Sequence, residues 1–308
     1  MGNNMEPIRI RVGSRSSKLS LIQTSLVTDA ITKAAKGVEF DIIPIKTLNE
    51  KIDRSKYTDT DKSLYTKEID EALLKGDIDM AVHSLKDVKN DIPDGLQMSA
   101  VIKREDPRDI LISRFGSISD IENGATIGTS SIRRAAQLLY ANNGIEVKEL
   151  HGNVDSRILK FQNKEYDGIV LALAGVKRLG QNINYAILDI NEMVPAIGQG
   201  AIAVQSRYGD KHINSILEMI NDPAAYMEVT AERAFGARMG ADCNMPVAAN
   251  ARLTGERISI VGMISDRLGK HLMKKEYSGH KNEYASIGGH LAEAMLKEGG
   301  ERILNELA

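Results

Sequence analysis

The chain has 308 residues, 42% hydrophobic and 27% charged, which is room for two or three domains with their own cores and excludes a disordered or fibrous protein. A formal net charge of −2, no Trp and only four Phe exclude a general basic field and a base-stacking platform, so nucleic acid is not an expected partner. One Cys excludes an internal disulfide and a cysteine-rich metal centre, and it fits a reducing cytoplasm.

The amino terminus, Met1-Gly2-Asn3-Asn4-Met5-Glu6, lacks the apolar core of a signal peptide, and Glu6 stands where a myristoylation pattern wants Ser or Thr. Ile8, Ile10 and Val12 alternate as in a strand, and Leu19, Ile22, Leu26 and Ala30 recur at helical spacing. Between them lies Gly13-Ser14-Arg15-Ser16-Ser17-Lys18. A glycine, hydroxyls and cations at a strand-to-helix turn put free backbone N–H groups and positive charge at one spot, which binds anions. Val38 to Ile45 reads as a second strand, Tyr65 to Lys75 as a helix stopped by Gly76, and Ile78 to Val82 as a third strand. This βαβ alternation implies a mainly parallel sheet. The polar stretch Asn49 to Lys62 reads as a mobile loop able to close over a cleft. His83-Ser84-Leu85-Lys86-Asp87 follows the third strand. Adjacent Lys and Asp on a loop are usually just exposed, but a carboxylate crowded by cations stays ionised and stabilises positive charge or exchanges a proton with an amine.

A second lobe repeats the order: strand Ala125 to Ile127, helix Ile132 to Asn142, strand Val147 to Leu150, helix Val154 to Asn163 and strand Ile169 to Leu173. The longest apolar run, Ile169 to Val176, is far too short to span a bilayer. Gly128-Thr129-Ser130-Ser131-Ile132-Arg133-Arg134 repeats the anion turn. Hydroxyl caps alone satisfy helix amides. Two adjacent cations at the positive end of a helix are unfavourable without an anion, so a negative partner is expected. His151-Gly152-Asn153-Val154-Asp155-Ser156-Arg157 opens the next helix, and Lys177 and Arg178 follow the last strand. Arg15, Lys86, Arg133, Arg134, Arg157 and Arg178 thus fall at the carboxyl edge of two sheets, where open α/β sheets bind ligands. Each charge-assisted bond to a carboxylate is worth roughly 1.5 to 3 kcal/mol, and several carboxylates on one ligand explain so many cations. Met193 to Gln205, with Pro195, Gly198 and Gly200, reads as a crossing that returns the chain to the first lobe. From Asp222 the pattern becomes α+β: a helix from Ala224 to Arg238, strands at Val247 to Leu253, Ile258 to Ile264 and Lys274 to Tyr277, and a terminal helix. Cys243 sits in the loop Gly240-Ala241-Asp242-Cys243-Asn244-Met245-Pro246. A lone Cys is most often a buried small hydrophobe, but a thiol in such a loop is open to nucleophilic or attachment chemistry.

Taken together, Gly-Ser-Arg-Ser-Ser-Lys-Leu, His-Ser-Leu-Lys-Asp-Val, Arg104-Glu105-Asp106-Pro107-Arg108-Asp109, Gly-Thr-Ser-Ser-Ile-Arg-Arg, Gly-Asn-Val-Asp-Ser-Arg, Pro195-Ala196-Ile197-Gly198-Gln199-Gly200-Ala201 and Ala231-Glu232-Arg233-Ala234 resemble the porphobilinogen deaminase (hydroxymethylbilane synthase) family, in order from about residue 8 to 253. The resemblance implies an α/β fold with two periplasmic-binding-protein-like (type II) lobes around a cleft and a small C-terminal α+β domain. The domains would be 1–101 with about 200–220, then 102–199, then 221–308. It implies a dipyrromethane cofactor joined by a thioether to Cys243 and stepwise condensation of four porphobilinogen molecules with loss of ammonia. The product is the linear tetrapyrrole hydroxymethylbilane of heme and porphyrin biosynthesis. By position Asp87 is the catalytic residue, stabilising the azafulvenium cation left when ammonia departs. Arg15, Ser17, Gln23, Arg157, Arg178 and Gln199 match the substrate side. Lys86, Asp87, Thr129, Ser130, Ser131, Arg133, Arg134 and His151 match the cofactor side. A cytoplasmic monomer is expected, with no metal, nucleic acid or membrane partner. Three departures stand out: His151 where Arg is usual, which makes one carboxylate contact weaker or pH-dependent; Ala-Asp-Cys-Asn in place of Gly-Gly-Cys-Gln; and Ala203-Val204-Gln205 in place of Gly-Ile-Glu. The competing readings are a two-lobed polycarboxylate receptor without catalysis, and a phosphate-binding transferase, disfavoured because neither turn matches a P-loop or dinucleotide fingerprint.

Overall fold

The computed structural model describes residues 8–47, 63–241 and 245–305. The loop expected at Asn49 to Lys62 and the cysteine-loop residue Cys243 lie outside the described residues. Two compact units emerge, Met1–Arg104 with Ala201–Tyr226, and Glu105–Gly200 with Met227–Ala308.

In the first unit β1 (Ile8–Arg15) buries Ile10 and Val12, and α1 (Lys18–Ala34) begins where the Ser17 side chain accepts the Ser20 N–H. Helical spacing puts Gln23, Thr24, Val27, Thr28 and Ile31 on the covered face of α1. β2 (Val38–Ile45), α2 (Ser63–Lys75), β3 (Met80–Ser84) and β4 (Leu96–Val101) follow. The sheet order is β2-β1-β3-β10-β4, with β10 (Ile202–Arg207) supplied from much later in the chain. β1 pairs parallel with β2 and β3, whereas β10 runs antiparallel to both β3 and β4. The mainly parallel expectation therefore holds for four strands and fails for β10, which enters the sheet from a distant part of the chain.

The second unit repeats that plan. Its elements are β5 (Asp109–Ser113), β6 (Thr126–Gly128), α3 (Ile132–Ala141), β7 (Glu146–Lys148), α4 (Val154–Gln162), β8 (Gly168–Ala172), α5 (Leu173–Arg178) and β9 (Ala186–Ile187). The order β7-β6-β8-β5-β9 places antiparallel β5 where β10 stands in the first sheet. Both lobes thus carry the type II periplasmic-binding-protein-like arrangement. Lys177 and Arg178, expected after the last strand, lie in the last turn of α5.

The C-terminal module has a three-stranded antiparallel sheet, β11 (Val247–Thr254), β12 (Arg257–Ser265) and β13 (Leu272–His280), with helix Pro223–Arg238 and helix Ile287–Met295. Phe235, Ile258, Ile260, Leu291 and Met295 form its core. A fully buried carboxylate, Glu232, ties this module to the 195–200 loop. Its Oε2 accepts the Gly198 N–H at 2.7 Å, and its Oε1 accepts Ala251 N–H at 2.8 Å and Asn250 Nδ2–H at 3.2 Å. Replacing it by Leu strands these buried donors at about 1–3 kcal/mol apiece. Glu232→Leu is expected to lower the urea midpoint clearly, and an unchanged midpoint would show that the donors find other acceptors.

Candidate active site

In the first unit the candidate residues gather at the carboxyl ends of β1 and β3. Arg15 closes β1, and a short 3₁₀ turn, Leu85–Asp87, follows β3 and carries Lys86 and Asp87. The Leu85 N–H donates to the Ala201 carbonyl at 3.1 Å, so the head of β10 braces this turn. Arg15 Nη1 stands 3.7 Å from Asp87 Oδ2, an ionic contact beyond hydrogen-bond reach, and both side chains keep part of their surface exposed. Gln23, buried on α1, exchanges hydrogen bonds with Ser84 at 2.8 and 2.9 Å and pins the end of β3. Ser17 serves as the cap of α1, with its hydroxyl 2.7 Å from that of Ser20.

In the second unit the negative partner expected for the arginine pair is inside the protein. Asp109, the first residue of β5, is fully buried and pairs in register with Ala172 at the end of β8. Arg133 Nη2 donates to its Oδ2 at 2.8 Å, and Arg134 donates to its Oδ1 from Nη2 at 2.7 Å and Nε at 3.1 Å. Each guanidinium also caps a backbone carbonyl, Val194 for Arg133 and Val170 for Arg134. Gln199 Nε2 adds 2.9 Å to Asp109 Oδ1 and 2.6 Å to the Pro107 carbonyl. Burial alone would push the Asp109 carboxyl up, but Arg133 and Arg134, with the bonds from Arg134 and Gln199, hold it at about 2. Among the described residues it is the one carboxylate bonded to these two guanidiniums, so one positive charge is left over at the amino end of the ten-residue α3.

The remaining candidates line the same edge. Ser131 caps α3, Thr129 Oγ1 accepts the Ser131 N–H at 3.1 Å, and Ser130 Oγ lies 3.2 Å from His151 Nδ1. His151 Nε2 lies 2.8 Å from exposed Glu149. Asn153 caps α4, Arg157 Nε donates to the Gly152 carbonyl at 2.7 Å, and Arg178 Nη2 donates to the Gly200 carbonyl at 2.6 Å. Burial lowers the Arg178 pKa while Glu105 opposes that, and Glu105 is itself held low by its hydrogen bond from Lys177 at 2.9 Å. Gly200 is glycine of necessity: its φ is +86°, and a Cβ would lie 2.3 Å from the Glu105 carbonyl oxygen.

Sequence reasoning missed Asp109 as the partner of the arginine pair. The signal for Asp109 was a charge heading the wholly apolar run Ile110-Leu111-Ile112, which cannot stay ionised in a core without a cationic partner. Among the described residues, no helix is long and apolar enough to cross a membrane, and no cluster of three or more His, Cys, Asp or Glu could hold a metal.

A family model described as porphobilinogen deaminase, dipyromethane cofactor binding domain, matches residues 10–215, and one described as the porphobilinogen deaminase C-terminal domain matches residues 226–297. Porphobilinogen deaminase of Geotalea uraniireducens (strain Rf4) is 40% identical over 300 residues, covering 97% of this chain and 94% of its own. That of Pelobacter propionicus (strain DSM 2379 / NBRC 103807 / OttBd1) is 38% identical over 305 residues, 98% of each chain. Among solved structures the Bordetella pertussis BvgS periplasmic VFT2 domain is similar at TM-score 0.40 and 17% identity, over 69% of this chain and 86% of that one.

Because the Asp109 carboxyl is depressed in the folded state, its contribution is present above the ordinary carboxylate range and fades as pH falls toward about 2. The drop below its ordinary value corresponds to roughly 2 kcal/mol. Asp109→Asn is expected to cost about 3–5 kcal/mol at neutral pH, since two buried guanidiniums lose their counter-charge, and to flatten the loss of stability between about pH 4 and 2. Unfolding curves across that range check both; an unchanged acid limb would show that Asp109 is not the group responsible.

Proposed function

The chain belongs to the porphobilinogen deaminase family, and on that premise we propose which of its residues do what. It is a transferase, a hydroxymethylbilane synthase, that condenses four porphobilinogen molecules head to tail with release of ammonia and uses a dipyrromethane cofactor. The observation that carries the residue-level reading is the surplus of cationic donors over carboxylates at the carboxyl edge of the second sheet.

That surplus fits a ligand bearing acetate and propionate groups. Arg133 and Arg134 keep one positive charge beyond what Asp109 neutralises, at a helix amino end that also favours an anion. We assign the cofactor to Lys86, Thr129, Ser130, Ser131, Arg133, Arg134 and His151, with Asp87 addressing its pyrrole N–H groups and a thioether from Cys243. When bound, the dipyrromethane supplies the free pyrrole carbon to which the next ring is joined. Arg15, Ser17, Gln23, Arg157, Arg178 and Gln199 are assigned to porphobilinogen. Arg15 and Arg178 hold carboxylates directly, while Gln23, Ser17 and Gln199 position the turns from which those cations reach. Toward a carboxylate the His151 ring donates one hydrogen bond where an arginine would donate two, so its grip on it is weaker.

Asp87 is assigned as the catalytic carboxylate. Its contact to Arg15 is ionic and long, so its charge is steadied without being consumed by a hydrogen-bonded fork. A carboxylate so placed stabilises the positive charge that develops on the substrate ring as ammonia leaves, and it takes up the proton released when the new carbon–carbon bond forms. The domain division 1–101 with about 200–220, 102–199 and 221–308, a cytoplasmic monomer, and no nucleic-acid or membrane partner complete the proposal; the near-neutral net charge of −2 supports the last point.

Asp87→Asn keeps the shape and removes the charge. It is expected to lower kcat by about 10²–10⁴ with little change in KM for porphobilinogen. Ammonia release measured in single-turnover mode checks this, and a rate within a few-fold of the parent would remove Asp87 from the chemistry.

A further inference from the structure

Gln137, in the second turn of α3, has no role in the assignments above, yet it is buried and its side chain is bonded at both ends. Its Oε1 accepts the Val194 N–H at 2.7 Å, and its Nε2 donates to the Val194 carbonyl and to the Arg133 carbonyl, each at 3.2 Å. The sense of these bonds is fixed. A backbone N–H only donates and a carbonyl only accepts, so the amide oxygen faces the Val194 N–H and the amide nitrogen faces the two carbonyls. The Val194 carbonyl oxygen also accepts from Arg133 Nη1 at 2.6 Å. A closed ring results, running from the Arg133 carbonyl through the Gln137 amide to the Val194 oxygen and back through the guanidinium. One amide group therefore holds both ends of one arginine.

The ring is anchored from the C-terminal module. The Val194 side chain packs with Ala248 of β11 and Met263 of β12. The turn between β12 and β13 rests on the same helix, since a Cβ on Gly269 would lie 2.3 Å from the Ala136 carbonyl oxygen. Among the described residues Arg133 uses two of its five side-chain N–H groups, one on Val194 and one on Asp109. Where the other three point depends on those two bonds. With Asp109 alone the guanidinium could turn about a single contact.

We propose that Gln137 is a positioning residue for the cofactor: by tying the Arg133 and Val194 carbonyls to one amide, it fixes the direction in which the Arg133 guanidinium offers its remaining donors to a dipyrromethane carboxylate. This rests on the assignment of Arg133 to the cofactor side. Because Val194 is seated in the C-terminal module, the part of the chain that contains Cys243 also sets where Arg133 points.

Protein made in cells that lack porphobilinogen and then supplied with it gains two linked pyrroles as it assembles the cofactor, and intact mass follows the rate. Gln137→Met keeps length and volume and removes all three side-chain bonds. It is expected to assemble the cofactor about tenfold more slowly than the parent, because a small displacement of a binding group is costly. Once loaded, its KM for porphobilinogen is expected to stay within about twofold of the parent's. Ile260→Val, a trim in the core of the C-terminal module, controls for stability: it is expected to lower the urea midpoint and leave the assembly rate unchanged. Gln137→Glu keeps an acceptor for the Val194 N–H but puts a negative charge beside two carbonyl oxygens and the Arg133 guanidinium. It is expected to assemble more slowly still, and it tests the same point if Gln137→Met does not fold. In the parent, which needs no substitution, the two Gln137 amide hydrogens are expected to be resolved and slow to exchange. Parental assembly rates in the Gln137 variants would overturn the proposal, as would an Ile260→Val protein slowed as much as they are, or a Gln137 amide that exchanges rapidly in the parent. A parent that gains no pyrroles removes the cofactor reading itself, whereas a parent that assembles while the Gln137 variants keep pace removes Gln137 alone.

Discussion

Asp109 brings a negative charge into a fully buried position, and much of the second unit is arranged to make that tolerable. Desolvating a carboxylate costs several kcal/mol, and the cost is met only with close, well-aligned cations and further donors. Arg133, Arg134 and Gln199 supply them from the amino end of α3 and from the 195–200 loop. Once those three side chains are drawn to one carboxylate, the start of α3, the edge of β8 and the approach to Gly200 are fixed together. Gly200 then accepts from Arg178, and Gly198 hands its N–H to Glu232, so the same loop fixes a cation at the sheet edge and the C-terminal module. Two cations against one anion also leave one positive charge over at the amino end of α3.

The first unit has the same strand order and the opposite electrostatic design. In its interior His83 bonds to Gln205 and Gln23 to Ser84, and the long ionic contact between Arg15 and Asp87 lies at its edge. One topology therefore carries a fully buried ion network in one lobe and, in the other, an edge ionic contact above an imidazole–amide pair.

The strand and helix order of both lobes was legible because apolar periodicity and the glycine–hydroxyl–cation turns are local signals, and β1, α1, β2 and α3 stand close to where they were expected. β5 and β10 were not legible as central antiparallel strands, since their partners lie far away in sequence: His83 meets Ala203, and Asp109 meets Ala172. The demand for an anion beside Arg133 and Arg134 was a sound electrostatic inference; that a core aspartate meets part of it was hidden, because nothing local to Asp109 names its partners. Ser17 and Ser131 read correctly as turn hydroxyls, yet their capping bonds show how much of an anion turn is also helix architecture.

The central claim is that this chain builds its product on a pyrrole pair anchored at Cys243, and the intact mass of the purified protein tests it most directly. The parent is expected to exceed the mass of its sequence by two linked pyrroles and to grow by single-ring steps when porphobilinogen is added, whereas Cys243→Ser carries no excess and gains none. A parent protein of unmodified mass that stays unmodified in the presence of porphobilinogen would contradict the account.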